Sequence, residues 1–232
     1  MPVLKFRQAE YQALLRLDET IKGSILPLFI VPPVEYDFEE QRLKKSPLEH
    51  VEKLSPRLKG KWGDGEFLLD IDESLHAEYT PSGIYLIEHM YEEIKSKNLN
   101  PIPVFSLSYS DKYLQCIKSF LPENDNRVAF RVGFDELSDP SNYQVLLTTL
   151  QKLSIEHCNA TLIIDFKDQA DYSQKDTICN LLEMISGFWG MDLYFAIYII
   201  GTSLDLSQVK KPGATLDRDC LLYTSPSPRD TR

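Results

Sequence analysis

Lys5, Asp70, Asp72, Arg131, Asp165 and Lys167 stand out because each interrupts a short run of apolar residues. Cations facing carboxylates are what is needed to hold an anion and move a proton. Lys5 and Arg131 can bind a carboxylate or phosphate, the guanidinium in bidentate fashion, while Asp70 or Asp165 serves as the acid–base group. Asp72 and Lys167 extend the ligand-binding set, and the hydroxyls of Ser106 and Ser108 add donors. The competing reading of the same residues is a self-neutralising ion network. Charges are seldom buried without a partner, and partners of both signs are available here. Asp70-Ile71-Asp72 and Asp165-Phe166-Lys167-Asp168 also have the spacing to seat Mg²⁺ beside a substrate phosphate, but carboxylates at i, i+2 are commonplace, so no metal is assigned.

For these residues to meet, their strands must share one sheet. Apolar runs recur at Val3–Phe6, Leu26–Val31, Phe67–Ile71, Ile102–Leu107, Val128–Val132, Thr161–Phe166 and Leu193–Ile200, with amphipathic segments between them. That is the pattern of βα units and a parallel sheet. Eight such units need about 250 residues, so the expected fold is α/β, a (β/α)8 TIM-barrel-like domain cut after about seven units. The rival open doubly wound sheet usually carries a glycine-rich first βα turn, and Arg7-Gln8-Ala9-Glu10 has no glycine. Alternation along each strand then sends Lys5, Asp70, Arg131 and Asp165 into the barrel, near the C-terminal mouth where barrel enzymes keep their sites. Lys5, Asp70 and Arg131, from the first, third and fifth strands, are expected in one layer and Asp165 in the next.

Helix starts support the pattern independently. Ser46-Pro47-Leu48-Glu49 reads as a capping box with proline at the first helical position. Thr80-Pro81 and Asp139-Pro140 predict two further starts, and Ser173-Gln174-Lys175-Asp176 another. The segment Gly60–Gly65 enters the third strand and predicts a tight turn at the N-terminal face rather than a phosphate cradle.

With 43% hydrophobic and 26% charged residues, the composition is that of an ordinary globular domain, which excludes disorder. The longest apolar stretch, Leu193–Ile200, is far too short to span a membrane, and no signal-peptide core follows Met1, so a cytoplasmic protein is expected. Cys116, Cys158, Cys179 and Cys220 form no CxxC pair, and the four histidines form no HxH or HExxH, so neither a disulfide framework nor a zinc site is indicated. There is no GxSxG elbow and no P-loop, and the sequence names no cofactor. A net charge of −10 disfavours nucleic acid, and Lys44-Lys45 and Lys59-Gly60-Lys61 are too short to offset it, reading as solvated surface.

Residues 220–230, Cys-Leu-Leu-Tyr-Thr-Ser-Pro-Ser-Pro-Arg-Asp, resemble one reading frame of a transposase adapter used in DNA library preparation. Residues 1–219 are therefore expected to form a single incomplete domain and 220–232 to be non-native.

The opening Pro2-Val3-Leu4-Lys5-Phe6-Arg7-Gln8-Ala9-Glu10-Tyr11-Gln12-Ala13-Leu14, followed by Pro27-Leu28 and Pro32-Pro33, resembles the "beta protein" family, named after a phage protein and found in bacteria and phages. The similarity runs through Asp219. It implies matching polar residues at Lys5, Glu10, Asp70, Arg131 and Asp165, which adds Glu10 to the candidate acid–base groups. It also implies a phage or mobile-element setting, hence a phage or host protein as the alternative partner to a small anionic ligand. The family carries no activity over to this chain, and its members are longer, in keeping with truncation. At the second strand the family tends to have Glu after Pro-Leu-Ile where this sequence has Phe29-Ile30-Val31, so a role resting on that acid does not transfer, although Glu35 follows.

Overall fold

The computed structural model describes residues 1–121, 126–166, 183 and 185–201. Seven strands form one parallel sheet: β1 (Val3–Lys5), β2 (Leu28–Val31), β5 (Leu68–Ile71), β6 (Ile102–Phe105), β7 (Val128–Gly133), β8 (Ala160–Asp165) and β9 (Ala196–Ile200). They lie side by side in chain order. A two-stranded antiparallel ribbon, β3 (Tyr36–Asp37) with β4 (Arg42–Leu43), projects from the connection after β2. All seven expected strands are present and the ribbon is additional. Each of its strands is two residues long, too short for any periodicity to mark it in the sequence.

Helices follow the strands: α1 (Gln8–Leu15), α2 (Glu19–Lys22), α3 (Pro47–Val51), α4 (Leu54–Lys61), α5 (Leu86–Ser96), α6 (Asp111–Phe120), α7 (Phe134–Leu137) and α8 (Pro140–Leu153). Consecutive parallel pairing with helical returns curls the sheet into a half-barrel. Among the described residues β1 and β9 are not paired with each other, so these residues do not close an eight-stranded barrel.

The two faces of the sheet separate as alternation requires. Phe29, Leu69, Phe105, Phe130, Leu162 and Ile164 pack outward into the main core against the helices, with Trp62, Ile87, Tyr91, Ile117 and Leu146. Leu28, Leu68, Ile102, Val104, Ala129 and Ile163 form a second, smaller core on the concave side. Every residue of β5, β6 and β8 is buried, the signature of parallel strands covered on both faces. Among the described residues no helix is long and apolar enough to cross a membrane.

Local chemistry accounts for the helix ends. Ser46 Oγ accepts from the Glu49 N–H at 3.2 Å, and Glu49 Oε2 accepts from the Ser46 N–H at 2.8 Å, closing the capping box that opens α3. Asp139 caps α8, which buries Leu146, Leu150 and Leu153 as its spacing requires. The helix expected at Thr80 begins later, at Leu86. Thr80-Pro81-Ser82-Gly83 instead makes a tight turn, with Gly83 at φ +82° and its N–H donated to the Thr80 carbonyl at 2.9 Å. Tyr79 and Tyr85 then bridge across it, leaving Ile84 exposed. Glycine takes that backbone conformation without steric cost, and its turn chemistry outweighs the Thr-Pro start signal. Ahead of β5, Gly63 adopts φ +93° and the Trp62 indole donates to the Gly65 carbonyl at 2.9 Å, which forms the expected tight turn. Lys167, the Ser173–Asp176 segment, Cys179 and residues 220–232 lie outside the described residues.

Candidate functional site

Three charged side chains meet at the C-terminal ends of the central strands. Asp70 faces the concave side from β5 because its neighbours Leu69 and Ile71 are drawn into the helix-facing core. Arg131 takes the same face of β7 between Phe130 and Val132, and Asp165 closes β8 after Ile164. Arg131 Nη1 donates to Asp70 Oδ2 at 2.6 Å. Its Nε and Nη2 donate to Asp165 Oδ2 at 2.8 and 2.5 Å. One guanidinium thus bridges two buried carboxylates, which are 2% and 5% exposed. Burial works against this cation, but the two carboxylates more than offset it and hold its pKa above the ordinary arginine value.

The second oxygen of Asp70 is also engaged. Oδ1 accepts the Tyr109 hydroxyl at 2.6 Å and the Ile71 N–H at 2.9 Å. Burial, then the charge of Asp70, pushes the Tyr109 phenol far above its usual range, so it stays protonated and donating. His76 lies edge-on to Tyr109 and stacked on Tyr113, with ring centroids 4.5 Å apart in each case. Its Nε2 lies 3.0 Å from the Ile71 carbonyl, which makes that nitrogen the donor.

Asp70, Tyr109, Arg131 and Asp165 floor an open cleft of about 560 Å³ that Asp72, Glu73, Ser106, Ser108 and Glu136 also line. Asp72 turns part of its capacity to structure, accepting from the Ser74 N–H at 3.1 Å and the Ser74 hydroxyl at 2.6 Å. Ser108 donates to Glu73 at 2.7 Å. Glu136 accepts the Gly133 N–H at 2.6 Å, fixing the turn from β7 into α7.

Of the residues singled out in the sequence, Asp70, Asp72, Ser106, Ser108, Arg131 and Asp165 are gathered in this cleft. Lys5 pairs in register with Ile30, but it stands exposed on the edge strand β1 and does not line the cleft. Glu10 lies half-buried on α1, also outside the lining. Lys167 is beyond the described residues. The expected separation of Arg131 and Asp165 into different layers does not keep them apart, because the long arginine side chain reaches across it. Tyr109, Glu73 and Glu136 were not anticipated. Glu136 stands three residues after Gly133, the spacing of a helix start, and so was legible in principle; nothing in the local pattern marks Tyr109. Among the described residues no three His, Cys, Asp or Glu side chains are grouped to hold a metal ion.

A family model described as Beta protein matches residues 1–218. No curated protein matches the chain.

Proposed function

This chain belongs to the Beta protein family, and from that premise we propose that the C-terminal mouth of its half-barrel binds a small polar ligand, with Asp70 and Asp165 as acid–base groups and Arg131 orienting the ligand. The observation that carries this reading is the Asp70–Arg131–Asp165 bridge at the floor of an open cleft of about 560 Å³. That volume falls in the usual range of small-molecule sites, about 300–1,000 Å³. The strand ends of α/β barrels are also where such sites form.

Charge defines the ligand further. Arg131 spends three N–H donors on the two aspartates, leaving part of its five-donor fork for an oxygen of the ligand. Its positive charge is matched by two carboxylates, and Asp72, Glu73 and Glu136 add more around the rim. The small anion expected from the sequence would require Arg131 to be released from Asp165. A ligand presenting hydroxyls or an amine to the carboxylates, and a carbonyl or hydroxyl oxygen to Arg131, fits without that rearrangement.

A thermal-shift screen of polyols, amines and carboxylated or phosphorylated metabolites tests the proposal. A hit that stabilises the protein, and that Arg131→Lys and Asp165→Asn both abolish while remaining folded by circular dichroism, is the expected result. No hit in any class counts against it and favours a second reading, a non-catalytic module for a phage or host protein. That reading draws support from Asp70, both of whose oxygens already have partners within the chain. Under it, the same substitutions lower stability alone, and co-purification returns a protein.

A further inference from the structure

A second cavity, of about 340 Å³, lies on the other side of β2 from the mouth, where α1, the ribbon β3–β4 and the α3–α4 pair converge. Val31 lines it, whereas its neighbour Ile30 lines the mouth. Its charged lining is opposite in sign to the protein as a whole: Arg7, Lys44, Lys45 and Arg57 stand against a single carboxylate, Glu35. Lys44 pairs with Glu35 at 3.0 Å. Arg7, Lys45 and Arg57 make no ion pair among the described residues, in a chain whose net charge is −10. Three cations without a direct ion pair, sharing the field of the one carboxylate Glu35 that Lys44 already engages, repel one another around the hollow, and an anion lowers that cost.

Other features of the same hollow point the same way. Burial, then the charge of Arg57, holds Lys45 below the ordinary lysine value. His50 lines the cavity with Nε2 2.7 Å from the Pro32 carbonyl, which fixes Nε2 as the donor. Its Nδ1 is buried with no hydrogen-bond partner among the described residues, so the ring stands behind the cavity wall and brings no second donor into it. Arg7 is the N-cap of α1 and provides no side-chain cap, so the first-turn N–H groups of α1 lack that acceptor. Phe6, Tyr11, Val31 and Leu54 give the cavity an apolar wall beside the polar Gln8, with the Arg57 guanidinium 5.2 Å from the centre of the Tyr11 ring.

We propose that this cavity is an oxyanion site that takes the phosphoryl group of a small phosphate monoester. Arg7, Lys45 and Arg57 hold the phosphoryl oxygens, and the apolar wall receives the organic part, since the hollow is larger than phosphate alone requires. The inference does not depend on the mouth, because none of its residues line that cleft.

Titration calorimetry on the 232-residue chain, with inorganic phosphate, glucose 6-phosphate and adenosine monophosphate at matched ionic strength, tests it. Saturable binding of at least one monoester, tighter than that of inorganic phosphate, is expected. Arg57→Gln and Lys45→Gln should each weaken it about tenfold, the scale of one charge-assisted hydrogen bond. Arg7→Gln, at an exposed position, should do the same without disturbing the fold, which guards against a merely structural effect of Arg57. Absence of saturable heat with all three probes overturns the site. So does unchanged affinity in all three variants, and equal affinity for inorganic phosphate and both esters overturns the monoester assignment.

Discussion

Arg131 is the residue on which the concave side of the sheet depends. Its two carboxylate partners are nearly inaccessible to water, and a buried ionised group left without a partner is costly. Arg131→Met should therefore destabilise the protein by about 3–5 kcal/mol, the usual cost of breaking a buried pair from one side. Adding Asp70→Asn and Asp165→Asn to that variant should recover much of the loss, because the uncompensated charges are then gone. Urea denaturation of the single and triple variants checks this, and a triple variant no more stable than the single would contradict it. Tyr109 and the Ile71 N–H complete the arrangement by occupying the other oxygen of Asp70, which fixes the carboxylate plane facing the arginine.

At the scale of elements, the turn before β5 shows how a short segment sets the position of a site residue. Trp62 closes α4 with its ring 2% exposed, edge-on to Phe29 at 5.9 Å, and its indole N–H ties the chain at Gly65. Phe67 then enters the same core beside Phe29, which fixes the phase of β5 and so the direction of Asp70. Trp62→Ala should cost about 3–5 kcal/mol through the cavity it leaves. The check is a lowered denaturation midpoint together with faster amide exchange in β5, since its entry turn loses its anchor. Protection of β8, on the far side of β6 and β7, should change less.

For the molecule as a whole, three histidines set the response to mild acid. His50, His76 and His157 all have pKa values lowered from the ordinary 6.5, in each case chiefly by burial. Below that pH the unfolded chain takes up protons that the folded chain resists, so stability falls as pH drops through 6.5 and levels off below the folded values. The urea midpoint should therefore decrease between pH 7.5 and 5.5, and His76→Gln should flatten the decrease. A midpoint constant over that interval would remove these histidines from the account. The sheet edges are the other whole-molecule feature: Val3 on β1 and Ile199 on β9 are 37% and 56% exposed, so apolar side chains flank backbone groups with no strand beside them among the described residues. Such edges pair readily with other chains, and blunting them with lysine is the usual remedy.

Strand content, parallel order and the facing of the strands that carry Asp70, Arg131 and Asp165 were legible in the sequence, because alternation and the recurrence of βα units are local properties that burial enforces residue by residue. The runs around Phe130 and Ile164 have only one parity that keeps apolar groups against the helices, and that parity alone directs Arg131 and Asp165 to the concave side. The Ser46–Glu49 capping box was equally legible, since all its atoms lie within one helical turn. Which charges touch was not. Lys5 shares the parity of Asp70 yet stands exposed on the edge strand, while Asp165, one layer away, is joined to Arg131 by the length of the arginine side chain. Tyr109 reaches Asp70 across 39 residues and no pattern announces it. Lys44 and Lys45 read as solvated surface in sequence, and only the meeting of the ribbon with α1 and α4 brings them to Arg7 and Arg57 around one hollow. Hydrophobic patterning sets which way a side chain points; the partner it finds depends on distances between segments remote in the chain, and those exist only once the sheet has curled.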